Sequence, residues 1–146
     1  MMAATEASSA ASAEITSAAG ARGDIGSLPS CRLRRVTDYV QQNLDKDLTL
    51  AELAAVLCMS PFHFARLFKC STGVPPHRFV VRQRITRART CLAMEGQSIA
   101  QISRMVGYRT PSHFTTVFRR ALGVTPGAYR AAALQANRSN EEGGGK

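Results

Sequence analysis

"TPSHFTTVFRRALGVTPGAY", from Thr110 to Tyr129, nearly restates "SPFHFARLFKCSTGVPPHRF", from Ser60 to Phe79. Superposed, the two share seven identical positions: Pro, His, Phe, Phe, Gly, Val and Pro. Ser60/Thr110, Lys69/Arg119 and Phe79/Tyr129 agree in kind. Each copy opens on a hydroxyl residue followed by proline, the grammar of a helix start. The hydroxyl accepts from an orphan N–H, and proline at the first helical position lacks an N–H that would go unpaired. Phe64, Leu67 and Phe68 give the first helix one apolar face, and Phe114, Val117 and Phe118 give the second its counterpart. Gly73 and Gly123 are placed to end them.

Upstream of each copy lies a second shared signal. "TLAE" (Thr49–Glu52) and "SIAQ" (Ser98–Gln101) have the form of capping boxes and predict short helices reaching Leu57 and Val106. Each repeat is then a short helix, a tight turn and a second helix, a helix-turn-helix over about 49–73 and again over about 98–123. Between them, Val81, Ile85, Ala88 and Leu92 form a helical stripe within a linker helix at about 76–94. Arg82 and Arg89 flank that stripe on one side, Arg84 and Arg87 on the other, so some must lay their stems along the core. Leu33, Val36, Val40 and Leu44 predict a first helix, and Thr125-Pro126 a short last one containing Tyr129. The expected fold is all-α, about seven helices in two subdomains over 29–132. Residues 1–28, rich in Ala and Ser, and the polar residues 133–146 are expected to be disordered tails.

The chain has 146 residues, 45% hydrophobic and 20% charged, enough for one domain or two very small ones. No apolar run approaches a membrane span and no secretory signal is visible. The four cysteines form no CxxC pair, which fits a reducing cytoplasm. The net charge of +9 is unevenly placed. Met1–Leu57 carries five basic and seven acidic residues, whereas Cys58–Arg130 carries twelve basic residues and the single acid Glu95. The cationic excess therefore coincides with the repeat and favours a polyanionic partner. In a helix-turn-helix the first helix holds the second so that its N-terminal residues reach base edges in the major groove. Neighbouring major-groove faces repeat every ~34 Å, and the linker helix would span roughly 27 Å. The repeated phrase thus suggests two reading helices for one duplex.

The run from about Leu33 to Arg130 resembles the DNA-binding domain of the AraC/XylS family of bacterial transcription regulators. The resemblance is carried by "LAAVLCMSPFHFARLFKCSTGVPPHRF", "RITRARTCLA" and "SIAQISRMVGYRTPSHFTTVFRRALGVTPGAYR". It implies a seven-helix fold whose two recognition helices enter adjacent major-groove segments. Carried over by position, it marks Phe62, Ala65 and Arg66 as the exposed positions of the first reading helix, and Ser112, His113 and Thr116 as those of the second. Arg66 could pair with guanine O6 and N7, and Phe62 could touch a thymine methyl; Ala65 has no hydrogen-bonding group. Phosphate contacts are expected from Lys69, Arg109, Arg119 and Arg120, and from the helix N-termini at Ser60 and Thr110. His63 and His113 correspond in the repeat, which leaves a shared structural role open. Cys58 stands where the first turn commonly carries glycine, so that turn is either strained or packs its thiol inward; Gly107 keeps the glycine in the second.

Other chemistry is poorly served. Cys58, His63, Cys70 and His77 lack the spacing of structural zinc sites. Acid–base catalysis needs a carboxylate near the histidines, and Glu95 is the only acid in the basic segment. No metal, cofactor or catalytic residue is expected, and the chain is not expected to be an enzyme. The reading is a stand-alone cytoplasmic activator, associated with the nucleoid, monomeric on double-stranded DNA, with RNA polymerase as a candidate partner and no membrane contact. A partner-docking factor and a nonspecific nucleic-acid binder are the alternatives.

Overall fold

The start signals work as helix chemistry requires. In the computed structural model, which describes residues 26–144, seven helices form among the described residues and no strand does. They are α1 (Ser30–Gln42), α2 (Leu50–Val56), α3 (Pro61–Thr72), α4 (Pro76–Leu92), α5 (Ile99–Met105), α6 (Pro111–Leu122) and α7 (Pro126–Gly144). Thr49 Oγ1 accepts from the Glu52 amide at 3.1 Å, Ser60 Oγ from His63 at 3.3 Å and Thr110 Oγ1 from His113 at 3.1 Å. At Ser98 the box is complete, because Gln101 Oε1 also accepts from the Ser98 amide at 2.8 Å. Thr49 makes only the forward half of the expected box.

The helices group into two units. Among the described residues, the first takes 26–43 and 48–80, and the second takes 44–47 and 81–144. In the first, Val36, Val40, Leu53, Leu57, Phe64, Leu67 and Phe68 are buried. The Phe64 and Phe68 rings lie 5.5 Å apart, and Phe79 meets Phe68 edge-on at 5.2 Å. The second repeats the arrangement: Phe114 and Phe118 at 5.6 Å, with Tyr129 edge-on to Phe118 at 5.6 Å. Ile85, Ala88, Leu92, Ile102, Val106 and Tyr108 complete that core. The matched aromatic positions of the repeat are thus the matched contacts of two cores, each closed by tilted and edge-on ring pairs.

Both turns have one design. Met59 donates to Ala54 O at 3.0 Å and Cys58 to Ala55 O at 3.0 Å, while Tyr108 donates to Ser103 O at 2.8 Å and Gly107 to Arg104 O at 3.1 Å. These are paired Schellman closures, which need a left-handed residue after the helix. Gly107 supplies it at φ 92° and Cys58 at φ 56°. Cys58 is exposed, so the expectation divides: the turn carries the strained conformation, and the thiol does not pack inward. A left-handed non-glycine residue costs about 1–2 kcal/mol, partly offset by the lower chain entropy of cysteine when unfolded. Cys58→Gly is therefore expected to stabilise the protein by about 0.5–1 kcal/mol, read as a rise in the denaturation midpoint; a drop would refute the strain.

Two boundaries differ from expectation. Leu28, assigned to the N-terminal tail, is buried, and its amide donates to Ser71 Oγ at 2.7 Å. The rest of the expected tail, residues 1–25, lies outside the described residues. At the other end, residues 133–144 continue α7 rather than forming a loose tail. Ala131–Ala133, Leu134, Gln135 and Ala136 are strong helix formers. Asn137 Nδ2 also donates to Ala93 O at 3.3 Å, and Arg130 Nε to Leu92 O at 3.4 Å, serving the carbonyls at the end of α4.

Candidate nucleic-acid interface

In the first unit, the chain bends by 79° between α2 and α3. Burial of Phe64, Leu67 and Phe68 fixes the rotation of α3, so the opposite face must meet solvent. Phe62 is 80% exposed, an unusual state for a phenylalanine with no core role, and Arg66 and Lys69 are exposed with it. Ala65 is half-buried rather than exposed as expected.

In the second unit, buried Phe114 and Phe118 fix α6 in the same way. Ser112, His113 and Thr116 are exposed on it, and Arg119 and Arg120 lie exposed in its last turn. The Thr116 hydroxyl donates to Ser112 O at 3.0 Å, so towards a ligand it offers lone pairs and a methyl group. The His113 ring stands edge-on to Tyr108 at 5.1 Å, which orients it from below. Burial pushes the Tyr108 phenol above the usual tyrosine value, and the Arg84 guanidinium, 5.3 Å from the ring centre, partly offsets this.

As candidate anion sites, the two helix N-termini are narrow. Proline at the first position has no N–H, and the third amide is taken by the Ser60 or Thr110 hydroxyl. Of the first-turn amides, helix geometry leaves those of Phe62 and Ser112 without an intrahelical acceptor. The Ser60 and Thr110 hydroxyls accept with their oxygens and keep a proton to donate.

Arg109 is placed differently from the other cations. Its Nη2 lies 2.9 Å from Asp47 Oδ2. Nothing local in the sequence announces this pair, whose members are 62 residues apart. The link exists because Leu44–Asp47 belongs to the second unit although it follows α1 in the chain. Leu44 is fully buried there, and Arg84 Nη2 donates to Lys46 O at 2.7 Å. Arg84 therefore lays its stem along the core as the flanking pattern required, while Arg82 stays exposed. Among the described residues no three of His, Cys, Asp and Glu gather as a metal site, and no single helix is long and apolar enough to cross a membrane.

A family model described as "Helix-turn-helix domain" matches residues 53–132. Regulatory protein PocR of Salmonella typhimurium is 37% identical over 99 residues, 68% of this chain and 33% of the relative. The probable transcriptional regulator LumQ of Photobacterium leiognathi is 32% identical over 95 residues, 65% of this chain and 38% of the relative. The chain thus spans about a third of the length of these curated relatives. Among solved structures, the DNA-binding domain of AdpA, in complex with a target DNA, superposes with a TM-score of 0.68 at 33% identity, covering 73% of this chain and 96% of that one. A regulator with an AraC-type DNA-binding domain from Chromobacterium violaceum gives 0.67 at 27% identity, covering 73% and 95%. Sequence, turn geometry and fold agree: the chain belongs to the AraC family and carries its two-part helix-turn-helix DNA-binding domain.

Proposed function

We propose that the protein is a sequence-specific double-stranded DNA-binding regulator of transcription, with α3 and α6 reading adjacent major-groove segments. The observation that carries this reading is the state of the two reading faces. Each unit buries its repeated phenylalanine pair, Phe64 with Phe68 or Phe114 with Phe118, and leaves the opposite face of α3 or α6 exposed, with side chains able to address bases. Arg66 is the strongest reader, since a guanidinium pairs in bidentate fashion with guanine. Phe62 suits a thymine methyl, and Ser112, His113 and Thr116 read more weakly. Lys69, Arg119, Arg120, Ser60 and Thr110 serve phosphates, as does Arg109 once it exchanges its carboxylate partner. Family membership points to a regulator and not to a catalyst. The reading extends to activation, the role named for one relative, the transcriptional activator NphR of Rhodococcus, and to a monomer in the bacterial cytoplasm with RNA polymerase as its partner.

The test is selection of bound duplexes from a random pool, with and without Arg66→Ala. The unsubstituted chain should enrich a sequence with guanine at one half of the site. The variant should lose that preference at a cost of about 1–3 kcal/mol, leaving the other half intact. An unchanged preference removes Arg66 as a reader. Equal competition by random duplex at one salt concentration removes the specific reading altogether.

A further inference from the structure

We propose that Asp47 is a built-in substitute for a DNA phosphate at Arg109, and that it sets the affinity and salt response of the second unit. This rests on the reading of Arg109 as a phosphate contact. Arg109 is the residue by which the second turn exceeds the first, and it directly precedes Thr110, the N-cap of α6. It is the cation beside the α6 N-terminus, and its guanidinium already holds a carboxylate at 2.9 Å.

The carboxylate is delivered by a fixed loop. Leu44 is fully buried, and the Lys46 carbonyl is held by Arg84, so Asp47 extends from an anchored segment. The groove it lines also holds Asp45, Arg104, Gly107, Tyr108 and Arg109, two acids facing two bases. Of these four charged side chains, Asp47 and Arg109 close to ion-pair distance. Both side chains are largely exposed, at 86% for Arg109 and 70% for Asp47, so the pair is weak and exchangeable. A duplex presents a dense row of phosphates and displaces a single carboxylate. Asp47 must then be left facing the duplex without its partner, which subtracts from binding. The contact is thus an electrostatic brake with its greatest effect at low salt, where exposed charges are least screened.

Asp47→Asn keeps the size of the side chain and removes its charge. It should tighten binding of both selected and random duplexes by roughly two- to fivefold at low salt, the range of an exposed ion pair. It should also steepen the salt dependence by up to about one unit of slope. Duplex titrations are made with the full chain, with Asp47→Asn, with Asp45→Asn, and with each added to Arg109→Ala. The proposal requires the gain from Asp47→Asn to vanish in the Arg109→Ala background and to exceed that from Asp45→Asn. A gain that persists without Arg109, or one matched by Asp45→Asn, shows general charge repulsion and overturns it. No gain in a chain that still prefers its selected duplex also overturns it, leaving the DNA-binding reading in place. Absence of duplex binding by the unsubstituted chain overturns both.

Discussion

Gly107→Ala should unfold the second unit at temperatures where the unsubstituted protein is native. Gly107 sits at φ 92°, where a Cβ alone costs about 1–2 kcal/mol. The added carbon would also overlap the Leu44 carbonyl and come within 2.7 Å of Arg84 Cζ. Arg84 could move aside, at the loss of its bond to Lys46 O and its place against Tyr108. The Leu44 backbone has less freedom, because its side chain is fully buried in the same unit. Strain and overlap together predict a loss of about 3–5 kcal/mol, or a midpoint lowered by roughly 15 °C or more in a domain of this size. The control is Cys58→Ala. It occupies the corresponding position, is exposed and already left-handed, and should change stability by less than about 1 kcal/mol. Thermal unfolding of both variants followed by circular dichroism decides the matter. A Gly107→Ala midpoint within a few degrees of the parent would contradict the close approach to Leu44.

Phe64→Ala and Phe114→Ala should have effects of similar size but confined to different units. Each ring is fully buried, and each anchors the side opposite its helix's exposed face. Truncating a buried phenylalanine costs about 3–5 kcal/mol, from lost transfer energy and from the cavity left behind. Phe114 also loses ring contacts with Tyr108 and Phe118. Because the ring partners of Phe64 and of Phe114 lie within their own units, the damage should separate by unit. On the proposed reading of one half-site by α3 and the other by α6, Phe64→Ala should abolish protection of the first and Phe114→Ala that of the second, in footprinting on a selected duplex. If either variant erased both halves to the same degree at a temperature where the other core remains ordered, independent reading by two units would be wrong.

The sequence disclosed the helices and their exposed faces because those depend on short-range rules. Hydroxyl-proline starts, apolar spacing of three and four, and glycine stops each act within one or two turns, and the repeat supplied every signal twice. The rotation of α3 and α6 followed from Phe64 and Phe114, and with it the exposure of Phe62, Arg66, Ser112, His113 and Thr116. Ala65 was misplaced because it lies at the border of the buried stripe, where a one-residue face is decided by neighbouring helices. The extent of α7 is hidden because its polar residues carry no apolar periodicity, although Asn137 reaches the Ala93 carbonyl just past α4, distant in sequence. Asp47 was invisible for the same reason: its role depends on a loop joining the second unit across 62 residues of chain. Interactions set by tertiary placement leave no periodicity to detect.

Positions 58 and 107 differ in what a side chain would meet there. At 58 the turn faces open solvent, and the penalty of a side chain has already been absorbed by cysteine. At 107 the neighbouring backbone leaves no volume for any substituent. In this chain the first turn therefore has room for substitution and the second has none.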